Sequence, residues 1–278
     1  MHLCVRIILL SALVAGGVGC QPYVTPERLD RGLVLVLTGI EGRGPLNENI
    51  CRGLDEGGVD CAIELVDWTS PLPGAFLLTL WSEQRNREKA DQIAKRILRY
   101  KVDHPGRPVT IVGQSGGGAV AVWTAEAMPN GVGIDGMVII AAALGPDYDL
   151  QAALAHSRRG IVSYHSKRDW VILGIGTTVY GTMEGAHTSS AGRVGFNVPG
   201  GESKPAAYEK LYQVPWRGQM GSEGHIGGHL SSGSRKFIAR YVAPLVKAPQ
   251  WDAALVESTT GGPATGAPPP AATAPAGQ

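Results

Sequence analysis

The stretch TIVGQSGGGAV, residues 110–120, decides how the rest of the chain is read. Residues 109–112 form a short β-branched run, which predicts a strand buried on both faces. Residues 116–128 predict a helix, broken by Pro129-Asn130-Gly131. Between them stands Gly113-Gln114-Ser115-Gly116-Gly117, a G-x-S-x-G turn. Glycine accounts for 39 of 278 residues, so the five letters carry little by themselves. A strand running straight into a helix through such a turn is more specific. It forces strained dihedrals on the serine and holds its Oγ at a helix N-terminus, where positive partial charge favours a developing anion. Glycines two before and two after the serine let neighbouring backbone approach without a Cβ clash. A tight turn with no chemistry is the bland alternative, and the other strand ends decide between the two.

Outward from this stretch, strands alternate with helices. Leu33-Val34-Leu35-Val36-Leu37 is a second continuous apolar run, ending at Thr38-Gly39. Further strands are predicted over residues 61–66, 137–142, 161–164 and 211–216. Helices are predicted over residues 46–54, 150–155 and 235–245, and a long one is capped by Ser82. In that long helix Ala90, Ile93, Ala94, Ile97 and Leu98 recur at helical spacing, opposite Arg87, Lys95 and Arg99. The pattern predicts an α/β fold with a mostly parallel sheet of about six strands covered by helices on both faces. In such sheets ligands sit beyond the carboxyl ends of the strands.

Those strand ends carry a consistent set of residues. After the first strand, Thr38-Gly39-Ile40-Glu41-Gly42 can offer the N–H of Ile40, and the N–H of Gly116 follows the serine. Two backbone donors of this kind hold the oxyanion of an acyl-transfer intermediate. After the fifth strand comes Asp169, whose carboxylate can orient an imidazole, with Asp147 and Asp149 as alternatives after the fourth. After the sixth strand, two histidines qualify as general base, His225 and His229. They stand four apart, but no H-E-x-x-H pattern or third ligand accompanies them, so no metal is expected. The order Ser, Asp, His along the chain is that of one class of serine hydrolase.

The set resembles the alpha/beta-hydrolase superfamily, and in detail the small lid-less bacterial lipases and esterases of that fold. Leu37-Thr38-Gly39-Ile40-Glu41-Gly42 is similar to their V-H-G-I-G-G oxyanion segment, with Thr38 in place of His. Gly224-His225-Ile226-Gly227 with Ser231-Ser232 is in register with their G-H-I-G…S-S segment, which favours His225 over His229. The resemblance implies ester hydrolysis through an acyl-enzyme on Ser115, His225 and Asp169, with no cofactor and a small ester or acyl compound as substrate. Fewer than about twenty residues separate the fourth and fifth strands, so no large cap domain is expected. The apolar run Trp170-Val171-Ile172-Leu173 in the long Gly-rich connection over residues 170–207 reads as core more than as substrate contact. Thr182 to His187 has no counterpart in the family's pattern.

The ends of the chain read differently. An apolar run of about twelve residues follows a weakly basic start and closes on Val18-Gly19-Cys20. It resembles a lipoprotein signal, with residues 1–19 removed and Cys20 lipidated, and implies a lipid-anchored protein on the periplasmic face of the cell envelope. Residues 20–31 would be a tether and residues 32–250 the catalytic domain. Residues 251–278, rich in Pro, Ala, Gly and Thr, read as a disordered tail. Outside the cytosol Cys51 and Cys61 could form a disulfide. A formal net charge of +1 argues against a nucleic-acid surface. Two other functions share these features: a non-catalytic envelope lipoprotein using the fold as a binding scaffold, and an acyltransferase on the same three residues.

Overall fold

The structure, a computed structural model, describes residues 22–70, 79, 82–169, 182–200 and 205–262. The signal segment with Cys20, the apolar run from Trp170 and the chain beyond residue 262 lie outside the described residues.

Six strands, β1 (Leu33–Leu37), β2 (Ala62–Val66), β3 (Val109–Gln114), β4 (Gly136–Ile140), β5 (Ile161–His165) and β6 (Leu211–Pro215), form one sheet. Their order is β2-β1-β3-β4-β5-β6, and every pairing is parallel. This is the expected fold class, and among the described residues the sheet is wholly parallel. Alternation along β1 explains the continuous apolar run. Leu33, Leu35 and Leu37 enter one core, and Val34 and Val36 enter the other. On the first face lie α3 (Glu83–Asp103), α4 (Gly116–Glu126) and α5 (Gln151–Ala155). The second face is covered by α2 (Pro45–Glu56) and by a helical stretch, α7, running through Arg235–Phe237, Ile238–Val242 and Ala243–Lys247. Two short helices complete the domain, α1 (Pro26–Leu29) ahead of β1 and α6 (Ala191–Val194) between β5 and β6. Gly116 to Ala125 are all buried, so α4 is the central helix, apolar all round. Ser82 stands at the N-cap of α3 as expected, but its side chain makes no capping bond.

Three expectations are corrected here. Residues 22–31 are not a tether: α1 stands in that stretch, Arg28 bonds Asp55 at 2.8 Å and the Val59 carbonyl at 2.6 Å, and the Leu29 carbonyl accepts from the Tyr100 hydroxyl at 2.6 Å. The tail does not begin at residue 251. Helix α8 (Ala253–Thr260) packs on the second face, and the Asp252 carboxylate caps it by accepting from the Leu255 N–H at 2.7 Å. Ahead of it, the buried Trp251 donates its indole N–H to the Leu245 carbonyl at 2.8 Å. Its own carbonyl accepts from the Tyr212 hydroxyl at 3.0 Å, and the Arg159 guanidinium lies 4.7 Å from its ring. The composition of the whole tail hides these few anchoring residues. The two cysteines, in turn, are free thiols. Cys51 sits in the second core from α2, and Cys61, just ahead of β2, packs at the edge of the same core with its Cβ toward Gly32 at the start of β1. Burial pushes both thiols up, Cys51 to about 12 and Cys61 to about 11, which leaves them protonated and unreactive.

Because Trp251 anchors α8, Trp251→Ala is expected to cost about 3–5 kcal/mol. A lowered thermal midpoint with earlier proteolysis after residue 247 would register it. An unchanged midpoint would show that α8 is dispensable for the domain.

Candidate active site

All six strands point the same way, so the residues after them meet along one edge. At its centre β3 passes into α4 through Ser115, whose backbone is held at φ 57° and ψ −122°. A non-glycine residue there costs energy and persists only where surrounding bonds fix it. The Ser115 N–H donates to the Ile140 carbonyl at 2.9 Å, and its carbonyl accepts from Gly118 at 3.0 Å and Ala143 at 3.1 Å. A Cβ on Gly113 would run into the Gly117 carbonyl, and one on Gly117 into the carbonyls of Leu37 and Thr38. The two flanking glycines of the motif are therefore steric requirements.

The turn after β1 reaches the same place. A Cβ built on Gly116 would stand 3.5 Å from the Ile40 N and 2.7 Å from Ile40 Cγ2. Ile40 and Gly116 are thus adjacent. Neither N–H donates a hydrogen bond among the described residues. Two features missed in the sequence hold this loop. Buried Asn47, in the first turn of α2, donates to Glu41 Oε1 at 3.0 Å and to the Gly42 carbonyl at 2.9 Å. Trp68, just past β2, donates its indole N–H to the Thr38 carbonyl at 2.7 Å and lines the Gly116 side. An aromatic residue directly after a strand end was the available signal.

Asp169 follows β5 and is buried, its N–H bonded to the Ser166 carbonyl at 3.0 Å. Its Oδ2 accepts from the Nδ1–H of His229 at 2.7 Å, and that histidine is buried too. The imidazole beside Asp169 is therefore His229, where His225 was expected. His225 donates from Nδ1 to the Ser231 hydroxyl at 3.2 Å and lays its ring 4.6 Å from that of Phe237. Its carbonyl accepts from the Trp216 indole at 2.6 Å, so it braces the loop after β6. The alternative acids are engaged elsewhere. Asp147 accepts from Asn197 at 2.7 Å, and Asp149 from the Tyr208 hydroxyl at 2.9 Å and the Gln151 N–H at 2.9 Å.

With Nδ1–H on Asp169, His229 presents Nε2 as an acceptor. Its hydrogen-bond contact is with the side-chain amide of Gln114, at 3.3 Å. Gln114 immediately precedes Ser115, so the ring is docked at the elbow. The His229 carbonyl accepts from the Ser232 hydroxyl at 2.6 Å, which fixes the turn that carries it.

Burial holds His225 down at about 4, against an opposing pull from Asp169, and holds His165 down at about 4 as well. Unfolded histidines titrate near 6.5, so between about 6.5 and 4 the unfolded chain binds more protons. The stability from keeping these rings neutral is complete above that window and lost as pH falls through it. The slope is up to about 1.4 kcal/mol per pH unit for each ring. Thermal midpoints between pH 7 and 5 should fall less steeply in His165→Leu than in the parent. Equal slopes would show that His165 does not carry the effect.

No family model matches the chain, and no curated protein matches it. Among solved structures, a dienelactone hydrolase from Anabaena variabilis is 18% identical, over 76% of this chain and 83% of that one, with a TM-score of 0.45. Est1E from Butyrivibrio proteoclasticus is 8% identical over 77% and 86%, with a TM-score of 0.45. TT1662 from Thermus thermophilus is 17% identical over 83% and 89%, also at 0.45.

Proposed function

We propose that this protein is a serine hydrolase of carboxylic esters, with Ser115 as nucleophile, His229 as base and Asp169 as the carboxylate that orients it. One observation carries the reading. The strained Ser115 stands at the start of α4 while an imidazole bonded to a buried carboxylate is docked on the preceding residue. In the reaction, Ser115 Oγ attacks the ester carbonyl carbon as its proton passes to His229 Nε2. The oxyanion is held by the N–H groups of Ile40 and Gly116. Collapse breaks the bond to the alkoxy oxygen, which leaves as alcohol with the proton from His229. Water repeats the sequence on the acyl-enzyme and releases the acid.

Two of the four exposed large apolar side chains among the described residues, Ile226 and Leu230, flank His229. That supports a substrate with an apolar group. Labelling by a fluorophosphonate probe, with turnover of short-chain aryl esters, tests the activity. A folded protein inert to both would leave the binding-scaffold reading in its place.

The cell-envelope tether is part of the same proposal and rests on Val18-Gly19-Cys20 after its apolar run. Expressed in bacteria, the full chain should incorporate labelled palmitate and lose the label in Cys20→Ser. Label retained in that variant would overturn the anchor.

A further inference from the structure

The Gln114 carboxamide is buried at 1% exposure, and its two ends are treated unequally. Its nitrogen lies 3.3 Å from His229 Nε2 and 3.4 Å from the Ser232 hydroxyl. Its oxygen is buried with no hydrogen-bond partner. Buried polar atoms are normally paired, and an orphan calls for a reason. The rest of β3 is aliphatic apart from Thr110 and Gly113, so a glutamine at its last position is not explained by packing.

The geometry points to Gln114 as a positioning residue that follows the proton on His229. When the ring is neutral, Nε2 is an acceptor, and the amide N–H of Gln114 can donate to it. When Nε2 carries the proton taken from Ser115, it is a donor, and the amide N–H must leave it. A half-turn of the carboxamide then brings its orphaned oxygen to Nε2–H. A single side chain thereby bonds the ring in both protonation states, and the oxygen gains its partner only in the charged one. Ser115 Oγ has no hydrogen bond to His229 among the described residues. For transfer, the Ser115 hydroxyl takes the place of the amide N–H at Nε2, and the carboxamide oxygen takes up Nε2–H once the proton has moved. Asp169 is the charged group bonded to the ring, and His225 is the titratable neighbour on which Asp169 acts. Neither reaches the Nε2 side in any bond described above. The kinetic part of this inference rests on His229 being the base, and the spectroscopic part does not.

The test is a histidine NMR titration of the full domain, with His229 assigned by its loss in His229→Asn. A carboxylate in Gln114→Glu faces Nε2 and stabilises the protonated ring. The His229 midpoint should rise by at least one pH unit, a tenfold gain in proton affinity. In Gln114→Met, which keeps the length and removes both polar ends, the Nε2 nitrogen signal should move at fixed pH. Its kcat on an aryl ester should fall about tenfold with KM unchanged. Thermal midpoints identify any variant that fails to fold, and the other variant then decides. An unmoved His229 titration in Gln114→Glu, or an unmoved Nε2 signal in Gln114→Met, would overturn the inference. Shifted signals in a protein inert to esters would sustain the contact and defeat the hydrolase reading instead.

Discussion

Ser115→Ala is expected to lower kcat/KM on aryl esters by roughly 10⁴- to 10⁶-fold and to abolish fluorophosphonate labelling. Each factor of ten is about 1.4 kcal/mol, so the loss corresponds to roughly 5–8 kcal/mol of transition-state stabilisation. The size follows from the site's construction. Ser115 is held at φ 57° by bonds to Ile140, Gly118 and Ala143, and these are backbone bonds that alanine keeps. Its hydroxyl holds no structural bond among the described residues, so removing it takes away the nucleophile and leaves the scaffold. The thermal midpoint should therefore stay within a few degrees of the parent. Residual turnover would come from the donors of Ile40 and Gly116 acting on water attack. Undiminished turnover in Ser115→Ala would remove the serine mechanism altogether.

How much of this was legible in the sequence depended on what each feature encodes. The strands were readable because two-sided burial writes itself as a continuous aliphatic run, as in LVLVL at β1. The elbow was readable because Gly113 and Gly117 are dictated by carbonyl clashes, a local requirement. The placement of Asp169 just after β5 and of Ile40 at the turn after β1 was readable, because both follow directly from the strand ends. Helix α8 was not, because its anchors are isolated residues, Trp251 and Asp252, at the edge of a tail of low complexity. The cysteine pair was not, because side-chain direction depends on how α2 packs against β2. Gln114 lay inside the motif unread, since a polar residue in a buried strand has meaning only once its partner is known. The histidines were the hardest. His225 and His229 stand on one loop with glycines around both, and register with a related pattern favoured the first. What separates them is which ring reaches the carboxylate after β5, and that is a tertiary fact.

That separation carries the sharpest contrast in activity. His229→Ala should lower kcat/KM by roughly 10⁴- to 10⁶-fold, because Ser115 then has no acceptor for its proton. Asp169→Asn should lose about 10⁴-fold, since an amide favours the wrong tautomer of the ring. His225→Ala should lose less than about tenfold in activity, while costing about 1–3 kcal/mol of stability. The stability cost follows from its packing on Phe237 and its bond to Ser231, both of which brace the loop that carries His229. Its buried, neutral ring has no bond to Asp169, whose Oδ2 is taken by His229 at 2.7 Å. Two measurements on each variant decide the matter, the thermal midpoint and the steady-state rate on one aryl ester. A base loses rate far beyond any loss of stability, since His229→Ala also leaves the buried Asp169 carboxylate unpaired, and a brace loses stability with little loss of rate. If His225→Ala were the inactive and stable variant, the base would be His225, and the Asp169–His229 pair would be a structural hydrogen bond beside the site.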